Sequence, residues 1–93
     1  MTNLLTGDEL IDYAKNISSR EEFQYFTQCL TQDCIQNNSE WENRTLIDYL
    51  AGLSKFSIDM DGYYSNLGEE IDVSIVTWRI IAEMLIAASV YGN

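Results

Sequence analysis

A chain of 93 residues, 46% of them hydrophobic, is long enough for one core and too short for two independent ones, so a single domain is expected. Fifteen acids against five bases give a net charge of −10 spread along the sequence, a field that repels nucleic-acid phosphates and anionic lipid head groups and speeds encounter with basic proteins or cations. Nucleic acid and membrane are therefore not expected partners; without a secretory leader pattern or an apolar run near the roughly 20 residues that cross a bilayer, the chain reads as cytoplasmic.

Thr6 and Glu9 have the spacing of a capping box, and Leu5 and Leu10 occupy the positions of a hydrophobic staple, which predicts a first helix over Gly7 to Asn16. Ser19 with Glu22 repeats the box and starts a second helix running to about Asn37, with Phe23, Phe26, Leu30 and Cys34 on one face. Cys29 and Cys34 are separated by about 140° around that helix, so they cannot bridge locally and read as reduced, partly buried thiols. Ser39 with Glu42 predicts a short turn carrying Trp41, and Thr45 with Asp48 caps a third helix from Leu46 to about Ser57. Its apolar stripe is Leu46, Tyr49, Leu50, Leu53 and Phe56.

The segment from Asp59 to Val73 holds Gly62, Gly68 and five acids without a helical period. It reads as a long acidic loop with a small hairpin around Asn66-Leu67-Gly68, and loops of that length are usually functional. The last helix starts near Ser74 or Ile75 and runs to about Tyr91. Trp78, Ile81, Ala82, Leu85 and Ser89 lie on one side of it, Ile80, Met84 and Ala87 make the other side apolar, and Arg79 and Glu83 form a narrow polar edge. A helix apolar on both sides is central or at an interface. The expected fold is all-α: one domain of four helices with a long acidic loop between the third and fourth.

Histidine is absent, which removes the usual general base, histidine-based triads and imidazole zinc sites. Catalysis would rest on carboxylates such as Asp59 and Asp61, and in a hydrated loop nothing separates their pKa values, so no enzyme is expected. The same loop invites comparison with a calcium loop. Ser57, Asp59, Asp61, Gly62 and Ser65 fall at positions one, three, five, six and nine of an EF-hand, but position twelve is Gly68, with Glu69 beside it where a bidentate glutamate is required. A D-x-D-G turn with capping aspartates explains the same residues more simply. Tyr63 and Tyr64, adjacent in extended backbone, would point to opposite sides, one onto the core and one toward solvent or a partner. Trp41 and Trp78 read as core anchors at helix starts, and Arg44 and Arg79 as partners of nearby acids.

Trp41, Asn43, Thr45, Leu46, Asp48, Tyr49 and Leu50, then Asp59, Asp61, Gly62, Tyr63 and Tyr64, and finally Trp78-Arg79 with Ala82, Leu85, Ala88 and Tyr91, make a distinctive series. With W-x-N-x-T-L-x-D-Y-L followed by D-x-D-G-Y-Y, the chain resembles a family of small, acidic, uncharacterised bacterial proteins, a domain of unknown function. The resemblance covers roughly Phe23 to Tyr91. It implies a bacterial source, a compact core over residues 20–91 and a variable N-terminal helix over residues 1–16, and it supplies no functional site.

The function expected from these features is a non-enzymatic protein-binding module, comparable in charge and size to immunity proteins or nucleic-acid mimics. Asp59, Asp61, Tyr63, Tyr64, Glu69 and Glu70 would dock a basic protein. No cofactor is expected. The alternatives are a weak calcium-responsive module at Asp59-Asp61-Gly62, and a structural subunit self-associating, as a homodimer for instance, through the apolar back of the last helix.

Overall fold

The computed structural model describes residues 4–92. Four helices follow in order: α1 (Gly7–Lys15), α2 (Arg20–Gln36), α3 (Leu46–Asn66) and α4 (Trp78–Ala88), with a 3₁₀ turn over Asn38–Glu40. No strand occurs among the described residues, so the hairpin expected at Asn66-Leu67-Gly68 is not formed.

α4 is central. Its Ala82, Leu85 and Ile86 pack with Leu10, Ala14 and Ile17 from α1 and its flank and with Phe26 and Cys29 of α2. Its Ile80, Met84 and Ala87 pack on Phe56, Met60 and Tyr64 of α3. α3 meets no helix other than α4. Both apolar sides of the last helix are thus used inside one chain, and the back of α4 expected to drive self-association packs against α3.

Three serine or threonine caps set the helix starts: Ser19, Thr45 and Thr77 accept from the amides of Glu22, Asp48 and Ile80 at 3.1 Å each. Such a cap is worth about 1 kcal/mol. Glu22 turns back as the box predicts, but to the residue before the cap, accepting the Ser18 N–H at 2.9 Å. That bond holds its carboxyl below the usual range. The Thr6 box does not form. α1 is tied instead by Asp33 of α2, which accepts from the Gly7 amide at 3.3 Å and from Trp41 Nε1 at 2.9 Å. A carboxylate at a helix N-terminus also complements the helix dipole. Cys29 and Cys34 are both free thiols.

The largest difference from expectation is the length of α3, which continues through Asp59-Met60-Asp61-Gly62-Tyr63-Tyr64 to Asn66. Gly52, Phe56, Met60 and Tyr64 recur every four residues and are all buried. Burial along this seam outweighs Gly62, whose cost in a helix is about 1 kcal/mol. Leu46 and Leu50, assigned to the apolar stripe, lie outside the seam and are exposed. Asn66-Leu67-Gly68 is the helix stop: Gly68 has φ +74°, its N–H donates to Ser65 O at 3.0 Å, and Glu69 N–H donates to Tyr64 O at 3.0 Å. This paired 5→2 and 6→1 bonding is a Schellman cap. The acidic loop therefore runs from Leu67 to Thr77 only, pinned by Ile71 and Val73 on the Phe56 cluster. α4 starts later than expected because Asp72 makes a turn with Ser74, accepting its N–H at 3.0 Å, and Thr77 takes the cap.

The W-x-N-x-T segment latches the two ends of the fold together. Trp41 is buried and stacks on Tyr49 at a centroid distance of 5.8 Å. Asn43 is buried, and its Nδ2 donates to Ala88 O and Tyr91 O at 2.8 Å each while its N–H donates to Ser89 O at 2.8 Å. These carbonyls end α4 and would otherwise be left without partners. Gly52 lets α3 lie against this cap, since a Cβ there would meet Ala88 O and Asn43 Nδ2 at 2.6 Å.

Tyr49 donates to Leu85 O at 2.7 Å, and burial pushes its hydroxyl up to about 12. Burial, reinforced by a bond to Glu83, raises Tyr64 too. An unfolded tyrosine titrates near ~10, so the native state holds the phenolic proton more tightly and stability falls wherever the unfolded state sheds it first. From neutral pH the contribution of these tyrosines to the urea midpoint is expected to be flat up to about pH 10 and to fall as pH rises toward 12. Tyr49→Phe should flatten part of that fall; an unchanged slope would contradict the buried Tyr49 bond.

Candidate functional site

The sequence-predicted site residues lie on the C-terminal half of α3 and the loop after it, but not in one cluster. Asp61, Glu69 and Glu70 line an open groove of about 700 Å³ with Ser65, Gly68, Ile71, Asp72 and Val73. Asp59, Asp61 and Tyr63 border a second groove of about 430 Å³ with Ile58 and Tyr91. Asp59 accepts a hydrogen bond from the Tyr91 hydroxyl. Tyr64 is only 1% exposed, so it is a core residue and no partner can reach it. The two adjacent tyrosines do separate into core and surface, through the roughly 100° turn per helical residue and not through extended backbone. Tyr63 remains partly exposed with its ring edge against Phe56 at 5.2 Å.

Helical backbone also removes the calcium-loop geometry. Asp59 and Asp61 are about 200° apart around α3, where an EF-hand needs a loop that turns successive ligands inward. Among the described residues no three acidic, cysteine or histidine side chains converge as metal ligands.

The carboxylates of the groove differ in their electrostatic state. Glu69 is held by Arg79, whose Nη2 donates to both its oxygens at 2.8 Å. Arg79 Nε donates to Glu83 at 3.0 Å, and Tyr64 OH donates to the same Glu83 oxygen at 2.7 Å. Despite its partial burial, these two carboxylates hold the Arg79 guanidinium above its usual range. Asp72 is drawn below the usual carboxylate range by its bonds to Ser74. Asp61 and Glu70 are exposed, and among the described residues their carboxylates accept no hydrogen bond and form no ion pair. Among the described residues Asp61, Glu70 and Asp72 form no salt bridge, and Arg79, which lines the neighbouring groove with Asp72, is engaged by Glu69 and Glu83.

Next to the acidic groove lies a mostly apolar one of about 650 Å³, lined by Ile17, Ile71, Ile75, Trp78 and Ile80 among others. The two share Ile71 and Asp72. Trp78 is a partial anchor, packing on Phe23 at 5.2 Å with 37% of its surface exposed. This groove and Asp72 are absent from the sequence-derived site. The available signal was Ile75-Val76, two apolar residues set between the polar Ser74 and the cap Thr77.

Fold and surface together define a small, acidic, all-α domain of four helices with an acidic and an apolar groove side by side. No helix of the described residues is long and apolar enough to cross a membrane. Residues 19–92 match the family of unknown function DUF7660, and the chain belongs to that family. α1 precedes the matched segment even though its Leu10 and Ala14 help build the core. No curated protein and no solved structure matches the chain.

Proposed function

We propose that this domain is a non-enzymatic, cytoplasmic binding module that docks a basic protein in the groove between the end of α3 and residues 68–73. The observation that carries this reading is the set of uncompensated carboxylates Asp61, Glu70 and Asp72 in one groove of a chain with net charge −10. Such a field raises the encounter rate with a basic partner and penalises acidic ones. The adjoining apolar groove suits an apolar side chain next to the partner's lysines or arginines, because a docking surface needs a desolvated anchor as well as a charged rim. Tyr63 and Asp59 flank this surface, whereas Glu69 is already committed to Arg79.

The test is capture from lysate of the source organism by tagged wild type and by Asp61→Asn/Glu70→Gln, both verified as folded by circular dichroism. A basic protein retained by the wild type, released by about 0.5 M salt and lost by the double variant is expected. Equal retention by both would overturn the assignment of the groove.

A further inference from the structure

We infer that the solvent face of α3 is a self-association surface, its occupant being α3 of a second copy of this chain. Leu46, Ile47, Leu50 and Ile58 are 73%, 80%, 53% and 76% exposed. They fall within about 120° of one another around the helix. Ser54 and Ser57 lie between them, and the stripe bears no charge until Asp61. Among the described residues no other helix covers it.

Area and charge together select the occupant. With roughly 180 Å² on each free Leu or Ile, the four leave about 500 Å² per copy, and a symmetric pair removes about 1,000 Å², the lower limit for a specific interface. That area is at the upper end of what a monomer exposes without a partner, ~300–600 Å². Two copies of a −10 chain repel each other unless they meet where neither carries charge, and this stripe provides that. A basic partner gains nothing from an uncharged face, so the surface is distinct from the acidic groove. In an antiparallel two-fold pairing centred at the level of residue 52, Leu46 stands opposite Ile58 of the second copy, Ile47 opposite Ser57 and Leu50 opposite Ser54, so Asp61 stays outside the contact and the small serine side chains allow close approach of the helices.

Sedimentation equilibrium from about 10 µM to 0.5 mM protein tests this, at 0.05 M and 0.5 M salt, on the wild type, Leu50→Glu, Ile58→Glu and the control Ile75→Glu. All three substituted positions are exposed, and each variant is first checked for an unchanged melting temperature. The expected result is a monomer–dimer equilibrium that tightens several-fold with salt, as screening shortens to about 3–5 Å. Leu50→Glu and Ile58→Glu each weaken it at least tenfold, and Ile75→Glu leaves it unchanged. A strict monomer at 0.5 mM in 0.5 M salt overturns the inference and leaves the face to a different partner. A dimer lost in Ile75→Glu and retained in Leu50→Glu overturns it as well, by moving the interface elsewhere.

Discussion

Gly52→Ala is expected to destabilise the protein by about 3 kcal/mol, lowering its melting temperature by roughly 12–20 °C, although Gly to Ala inside a helix ordinarily stabilises by up to about 1 kcal/mol. The added methyl would lie 2.6 Å from Ala88 O, 2.6 Å from Asn43 Nδ2 and 3.0 Å from Tyr91 O. Two of these atoms are backbone, and the third is held by bonds to both of them, so no flexible side chain can swing aside. Relief requires α3 to move away from α4, which opens the cap on Ala88 and Tyr91 and loosens the Phe56–Met60–Tyr64 seam. Gly62→Ala is the matched control: it lies in the same helix with nothing within 4 Å of its Cβ position, and should stabilise by about 0.5–1 kcal/mol. Thermal and urea unfolding of the pair checks both signs. A Gly52→Ala protein as stable as wild type would contradict the close approach of α3 to the end of α4.

The second large effect is expected at Arg79. Arg79→Met should cost about 2–3 kcal/mol, because its removal leaves Glu83, with a side chain only 11% exposed, and the half-buried Glu69 without their cation. Among the described residues Glu83 then keeps only the Tyr64 hydroxyl at 2.7 Å. Arg79→Lys should recover less than half of the loss, since a lysine cannot reproduce the fork that reaches both carboxylates at once. Arg79→Met/Glu83→Met should be more stable than Arg79→Met alone, because the stranded charge is gone. Urea midpoints for the three variants measure this. An Arg79→Met protein within about 0.5 kcal/mol of wild type would mean the triad is solvent-screened and holds nothing in place. The same contacts fix the start of α4 relative to residue 69, so this variant should also disturb the acidic groove.

Much of the architecture is legible in local chemistry. Ser19 and Thr45 announce helix starts with side-chain caps that need only a neighbouring amide, and both caps are present. The last helix, apolar on two sides, has to be central, and it lies between α3 and the α1–α2 pair. Local chemistry misleads where tertiary partners take over. Thr6 and Glu9 have the right spacing, yet Asp33, distant in sequence, reaches the α1 terminus instead. Asp59 to Gly68 has the composition of a turn, and a single signal argues otherwise: Phe56, Met60 and Tyr64 keep a four-residue spacing across it. The consequence for the site is direct. A loop would gather Asp59 and Asp61, whereas the helix spreads them apart, buries Tyr64 and leaves Asp61 to face Glu70 and Asp72 across a groove that no local pattern reveals.

The basic-partner account is tested most directly by following backbone amide shifts of the ¹⁵N-labelled protein during titration with a short peptide of lysine and leucine, at 0.05 M and 0.5 M salt. The predicted result is a set of saturable shifts centred on Asp61, Ser65 and Gly68 to Val73, spreading to Ile75 and Trp78. These should weaken at high salt and be reduced in Asp61→Asn/Glu70→Gln. Shifts scattered over all acidic residues, or confined to α1 and α2, would contradict a docking groove at the end of α3.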